Sequence, residues 1–230
     1  MSDKKASPLT RVNQAGIRLF FRLLYHSFAW MYDGVAATVS VGRWQRWVLA
    51  AAGQATGPRV LELGFGPGHL QAELCRRGIA AWGLDESWQM ATQASSRLRK
   101  LGHSPRLARG LAQTLPFPTE QFDQVVATFP TLYILDPHTL AEIQRVLRPG
   151  GRLVVLMAAW ITGRSLLDRL MAQVFRVTGE APDENLEIAK VIEPYQTAGF
   201  QASARFVKQP GSRLMFIIAS KNSNPTRPGG

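Results

Sequence analysis

Val60-Leu61-Glu62-Leu63-Gly64-Phe65-Gly66-Pro67-Gly68-His69-Leu70 is the stretch on which the fold turns. A short apolar run follows Gly57-Pro58, as a buried parallel strand requires. It ends in three glycines at alternate positions, and Leu70-Gln71-Ala72-Glu73-Leu74-Cys75-Arg76-Arg77 then has helical period. Strand, glycine turn and helix make the first half of a nucleotide-binding βαβ unit. Glycine lets the backbone turn sharply and approach a ligand without a Cβ clash, and the next helix aims its first N–H groups at that ligand.

The spacing narrows the ligand. Dinucleotide sites use G-x-G-x-x-G, whereas Gly64, Gly66 and Gly68 give G-x-G-x-G, with His69 where the last glycine belongs. A phosphate loop needs Gly-Lys-Ser/Thr, and the stretch lacks it. Two acids add weight. Glu62 lies inside the apolar strand, where a carboxylate is costly unless hydrogen-bonded. Asp85 ends the next strand-like run, Ile79–Leu84, 21 residues after Gly64, where such folds place an acid for ribose hydroxyls.

Glu62-Leu63-Gly64-Phe65-Gly66-Pro67-Gly68 and Gly83-Leu84-Asp85-Glu86-Ser87 together resemble the cofactor site of class I S-adenosylmethionine-dependent methyltransferases. Leu115-Pro116-Phe117-Pro118 before Phe122-Asp123-Gln124-Val125-Val126 resembles that family's entry to its fourth strand, and Leu147-Arg148-Pro149-Gly150-Gly151 its turn into the fifth. The branch with the quinone-biosynthesis C-methyltransferases and related small-molecule enzymes reads most like this chain. The resemblance spans roughly residues 28–160. It implies S-adenosyl-L-methionine as cofactor, with Gly64, Phe65, Gly66 and Gly68 against its methionine part. Glu62 would orient the loop or the amino group, Asp85 would take the ribose hydroxyls, and Glu86 would flank the adenine. Leu111, Ala112, Thr128 and Tyr32 complete the implied cofactor contacts. Many relatives carry Asp-Ala where this chain has Leu111-Ala112, so the adenine amino group loses an acidic partner and the Ala112 N–H is left to serve.

The acceptor side is less informative. The fourth strand ends Thr128-Phe129-Pro130-Thr131, without the Asn/Asp-Pro-Pro-aromatic run of enzymes that methylate amino groups on planar bases. Tyr25, Tyr32, Tyr133, His138 and Trp160 are candidate pocket residues. Methyl transfer from a sulfonium needs alignment and a dry cleft more than a catalytic triad. The expected acceptor is small and apolar or lipid-like. RNA or protein methylation, or a non-catalytic binding module, stand as alternatives. Salt-sensitive retention on nucleic acid would favour the first, and cofactor binding without turnover the second.

Net charge is +11, from 27 basic and 16 acidic residues. Residues 1–50 carry +5 and residues 151–230 carry +4, against +2 for the middle hundred. Basic flanks suit an anionic partner such as a membrane surface, nucleic acid or an acidic substrate, or serve solubility alone. No RNA-binding module accompanies the charge, so nucleic acid is disfavoured. One cysteine, Cys75, excludes an internal disulfide and a multi-cysteine metal site. The scattered His26, His69, His103 and His138 give no metal cluster, and no metal is expected. With no signal peptide apparent, the expected location is cytoplasmic, with contact at the inner face of a membrane as an option.

The expected architecture is a three-layer, Rossmann-like α/β fold. Its seven-stranded sheet is mostly parallel and ends in an antiparallel C-terminal hairpin. Residues 1–53 form an N-terminal helical segment, 54–220 the methyltransferase domain with an acceptor-side insertion at 160–185, and 221–230 a polar tail. Within the first segment, residues 11–32 read as a helix whose polar stripe is Arg18, Arg22 and His26. Its wide aromatic face suits either a lid over the cofactor cleft or a membrane interface. Oligomeric state is not legible.

Overall fold

The structure is a computed structural model and describes residues 43–163 and 188–223. Helix α1 (Arg43–Ala52) leads into strand β1 (Arg59–Leu63), α2 (His69–Arg76), β2 (Ala80–Asp85), α3 (Trp88–Lys100), β3 (Leu107–Arg109) and β4 (Phe122–Thr128). A 3-10 turn (Leu132–Leu135), α4 (Pro137–Val146), β5 (Leu147–Ile161), α5 (Ile188–Thr197), β6 (Gln201–Gln209) and β7 (Ser212–Ser220) follow. The expected helix over 11–32 with Tyr25 and Tyr32, most of the 160–185 insertion, and the tail beyond Ser223 lie outside the described residues.

The seven strands stand in the order β3-β2-β1-β4-β5-β7-β6. The first five pair parallel, while β7 pairs antiparallel with both β5 and β6. This matches the architecture expected above. The chain leaves β1 toward β2 on one side, and β4 lies on the other. That reversal opens a crevice at the carboxyl ends of β1 and β4, where ligands bind in such sheets.

Two apolar layers cover the sheet. On one face Trp47, Val48 and Ala51 of α1 and Leu70 and Leu74 of α2 pack against Val60, Val126, Val154 and Phe216. On the other, Leu140, Ile143 and Val146 of α4 and Tyr195 of α5 pack against Leu61, Leu63, Val125 and Val155. Buried on both faces, β7 carries a continuous apolar run from Leu214 to Ala219, and β4 is buried over Phe122–Ala127 despite Asp123 and Gln124. Helix α1, whose face of Trp44, Trp47 and Val48 suits core packing in the sequence, lies in this core, and its Trp47 Nε1 donates to Ser212 Oγ at 3.0 Å.

Local signals end the elements where the sequence indicates. Ser87 caps α3 by accepting from the Met90 N–H, and Asp136 caps α4 by accepting from the His138 N–H, with Pro137 in the first turn. Gly199 closes α5 with φ +86°. β5 departs from expectation. The sequence predicts a turn at 147–150 and a strand over 151–159, yet β5 spans Leu147–Ile161. Its pairing with β4 steps from Phe122–Leu147 to Gln124–Arg152, so the Pro-Gly-Gly residues bulge out of register within one strand. At its far end β5 continues past β4 because β7 supplies a partner, which makes Trp160 a strand residue.

Candidate active site

The crevice is lined by the ends of β1, β2, β3 and β4, and the glycine turn forms its floor. Gly64, Gly66 and Gly68 all have positive φ, at 69°, 51° and 82°. Their surroundings differ. A Cβ on Gly66 would meet nothing within 4 Å, so the backbone there borders open space. A Cβ on Gly64 would lie 3.1 Å from the Tyr133 hydroxyl. At Gly68 it would strike Ala94 of α3 at 2.8 Å, so this glycine allows α2 to start hard against α3. Phe65 turns away from the crevice into a small core with Met90 and Ala94, and its ring fills the space above Gly83.

Asp85 holds the site together. Its Oδ2 accepts from the Gly66 N–H at 2.9 Å and its Oδ1 from the Ser87 N–H at 2.9 Å. One carboxylate thus ties the glycine turn to the start of α3. Burial pushes its pKa up, the two amides offset part of that, and neighbouring Glu86 adds to the rise. Each carboxylate oxygen keeps acceptor capacity beyond its amide. Glu86 is exposed beside it.

Glu62 is fully enclosed, at 1% exposure. Gln71 of α2 donates to its Oε2 at 2.9 Å and to the Trp82 carbonyl at 2.9 Å, joining β1, α2 and β2 below the glycine turn. Burial pushes the Glu62 carboxyl well above the usual range, the Gln71 bond opposes this, and Asp85 adds to it. Tyr133, in the turn after β4, donates to the Leu63 carbonyl at 3.3 Å. Burial raises its phenol first, and the charges of Asp85 and Glu62 raise it further. Among the described residues, Tyr133 is therefore the acceptor-side candidate that the fold brings to the turn. His138 is exposed on α4, and Trp160 sits near the end of β5.

Leu111 and Ala112 follow β3, and the Gly110 N–H bonds the Asp85 carbonyl at 3.2 Å, which draws this loop beside Asp85. Leu111 is 54% exposed while Ala112 is buried. Thr128 ends β4, and Phe129 after it takes φ +47°. A left-handed phenylalanine is costly and persists only where its surroundings over-determine it. Its N–H bonds the Leu156 carbonyl at 2.8 Å, and its ring stacks on Trp44 of α1 with centroids 4.5 Å apart. The sequence reading missed this strain and the Gln71 partner of Glu62. Phe129-Pro130 at a strand end and a glutamine one helical turn from Glu62's loop were the only signals.

Cys75 packs partly against the α1–α2 core, and burial pushes its thiol up. Among the described residues, no group of three His, Cys, Asp or Glu could hold a metal ion. Among them also, no helix is long and apolar enough to cross a membrane.

The residues fit a nucleoside carrying a small polar tail: open space above Gly66, an acceptor-rich Asp85 at the neighbouring strand end, and an exposed apolar Leu111 beyond it. Comparison with known proteins agrees. Residues 60–151 match the model of a methyltransferase domain. The chain is 31% identical over 188 residues to a demethylmenaquinone methyltransferase of Mycobacterium sp. (strain KMS), covering 74% of this chain and 79% of that protein. It is 29% identical over 163 residues to a ubiquinone/menaquinone biosynthesis C-methyltransferase of Geobacter sulfurreducens, covering 67% of this chain and 62% of the relative. In fold it matches Haemonchus contortus phosphoethanolamine N-methyltransferase 2 in complex with S-adenosyl-L-methionine, with a TM-score of 0.58 at 16% identity, over 87% of this chain and 59% of that one. The chain belongs to the class I S-adenosylmethionine-dependent methyltransferases, in the branch that contains the quinone-biosynthesis C-methyltransferases.

Proposed function

We propose that the protein methylates a ring carbon of a small quinol-like acceptor with an apolar tail. The observation that carries the site assignment is the Asp85 carboxylate bridging the Gly66 and Ser87 amides beside open space. The names of the relatives at 31% and 29% identity support the acceptor class.

S-adenosylmethionine supplies an electrophilic methyl group on a sulfonium, so the protein's task is binding, alignment and exclusion of water. In this reading Asp85 accepts from the ribose hydroxyls while keeping its two amide donors. The Gly64–Gly68 turn, including the Phe65 backbone, borders the methionine part. Buried Glu62 acts through Gln71 and the turn, and Tyr133 fixes the Leu63 carbonyl at the turn's entrance. Leu111 covers the adenine, with Glu86 and the Ala112 N–H at its edge. Thr128, at the end of β4, completes the cofactor contacts. Tyr32, within residues 1–53, closes the cleft. That segment also touches an anionic membrane through its basic stripe, which makes the protein a cytoplasmic, peripherally bound enzyme. Residues 54–220 form the catalytic unit, with 160–185 on the acceptor side.

The test is direct. Purified protein, S-adenosylmethionine and a short-tailed demethylated naphthoquinol should yield S-adenosylhomocysteine and the ring-methylated quinol in equal amounts by mass spectrometry. Calorimetry should show binding of S-adenosylmethionine and none of NAD. Cofactor binding without transfer to naphthoquinol or benzoquinol acceptors would refute the acceptor class, and NAD binding of similar strength would refute the site assignment.

A further inference from the structure

The carboxyl-terminal edge of the sheet is uneven. Thr128, the last residue of β4, pairs with Leu156, yet β5 runs on to Ile161 and pairs there with Ser212 of β7. At ~3.3 Å per residue, the β5–β7–β6 end stands about 15 Å beyond the end of β4. The edge that carries the glycine turn, Asp85 and Phe129 therefore has a projecting lip on one side.

That lip is cationic and aromatic. Trp160 pairs across from Arg213, and Lys208 pairs with Arg213 from the other side, so the three share one face of the sheet. The Arg213 guanidinium lies 4.9 Å from the ring centres of both Trp160 and Phe206, and Phe206 is 41% exposed. Around the β6–β7 turn, Arg46 of α1 and Lys208 border a shallow hollow of about 400 Å³ with Pro210. Segments 43–52 and 201–220 contain five arginines and lysines and no acid. Among the described residues, Arg46, Lys208 and Arg213 have no carboxylate partner.

We infer that this lip, formed by Trp160, Phe206 and Arg213 with Lys208 and Arg46, is a docking surface for an anionic phospholipid bilayer. An exposed Phe206 and a half-buried Trp160 flanked by cations suit the headgroup boundary, where rings enter the interface and cations meet lipid phosphates. A projecting lip fits a plane. Arg213 lies over one face of each ring, where a base would otherwise stack, which disfavours single-stranded nucleic acid. Because the lip shares its edge with the crevice, docking would bring the acceptor side of the site toward the lipid. The inference deepens the peripheral-membrane reading above and assigns the contact to a folded surface separate from residues 1–42.

Flotation of the full-length protein with phosphatidylglycerol or phosphatidylcholine vesicles tests it. The wild type should float with the anionic vesicles only, and less at raised salt. Combined Arg46→Gln, Lys208→Gln and Arg213→Gln should lower the partition at least about tenfold, given the attraction each cation adds near an anionic surface. A second variant, Arg46→Gln with Lys208→Gln, keeps the Arg213 stack and should show a smaller loss. Unchanged melting temperature and S-adenosylmethionine affinity would show that both variants fold. Equal binding to both vesicle types would overturn the inference, as would undiminished flotation of the triple variant. Loss confined to an Arg18→Gln/Arg22→Gln variant, or tighter binding to a short RNA than to the vesicles, would also overturn it. Methyl transfer to the short-tailed quinol without vesicles, measured in parallel, reports on the acceptor reading alone.

Discussion

Asp85 does two jobs whose separation can be measured. Its oxygens order the Gly66 and Ser87 amides, and the proposed ribose contact uses the acceptor capacity left over. Asp85→Ala should weaken S-adenosylmethionine binding by about 1.5–3 kcal/mol, the scale of hydrogen bonds to a charged group. It should also cost the fold about 1–2 kcal/mol, because two amides lose their acceptor. Unaltered affinity in calorimetry would remove Asp85 from the cofactor site. Gly66→Val should be more damaging to binding, since the side chain would occupy the open space and its backbone would be strained at φ +51°. Comparable cofactor affinity in that variant would show that nothing binds above Gly66.

At the scale of elements, Gly68 and Glu62 govern how α2 seats against its neighbours. Gly68→Ala should destabilise the protein by about 2–4 kcal/mol, adding a left-handed backbone cost to overpacking against Ala94. Urea unfolding would reveal this, and a loss below about 0.5 kcal/mol would mean that α2 and α3 separate easily. Glu62 makes a pH prediction. Its folded-state pKa is raised, so the folded protein retains a proton that the unfolded chain releases above about 4.3. In that window the unfolded state binds fewer protons, and stability falls as pH rises until the folded-state pKa is passed. Glu62→Gln cannot ionise, and its amide oxygen still accepts from Gln71. Its stability relative to wild type should climb from pH 4 upward. Parallel urea midpoints for the two proteins across pH 4–8 would contradict the assigned direction.

For the whole molecule, the lip borders the crevice, and the N-terminal segment is proposed to close it; the two make distinct demands. Deleting residues 1–33 should weaken S-adenosylmethionine retention, because Tyr32 is proposed to close the site, while leaving the melting transition of the core nearly in place. Full affinity in the truncated protein, measured by calorimetry, would show that the segment is no lid. The α1 helix must remain in any such variant, since Trp47, Val48 and Ala51 are buried in the core.

The sequence by itself determined the strand–turn–helix order, the glycine turn, the acid at the end of β2 and the C-terminal hairpin. Those signals are local: apolar period, caps and turn chemistry act between residues close in the chain. It also determined the family, because Glu62 to Gly68 and Asp85 keep their order and spacing. Only the tertiary structure decided that Phe65 faces a core while Gly66 faces open space, that Gln71 partners Glu62, and that Tyr133 reaches the Leu63 carbonyl 70 residues away. It alone decided that Phe129 is held left-handed against Trp44, and that β5 outruns β4 to raise Arg213 between two aromatic rings. Each of these depends on which distant segment packs alongside, and no period or spacing in one segment encodes its neighbour.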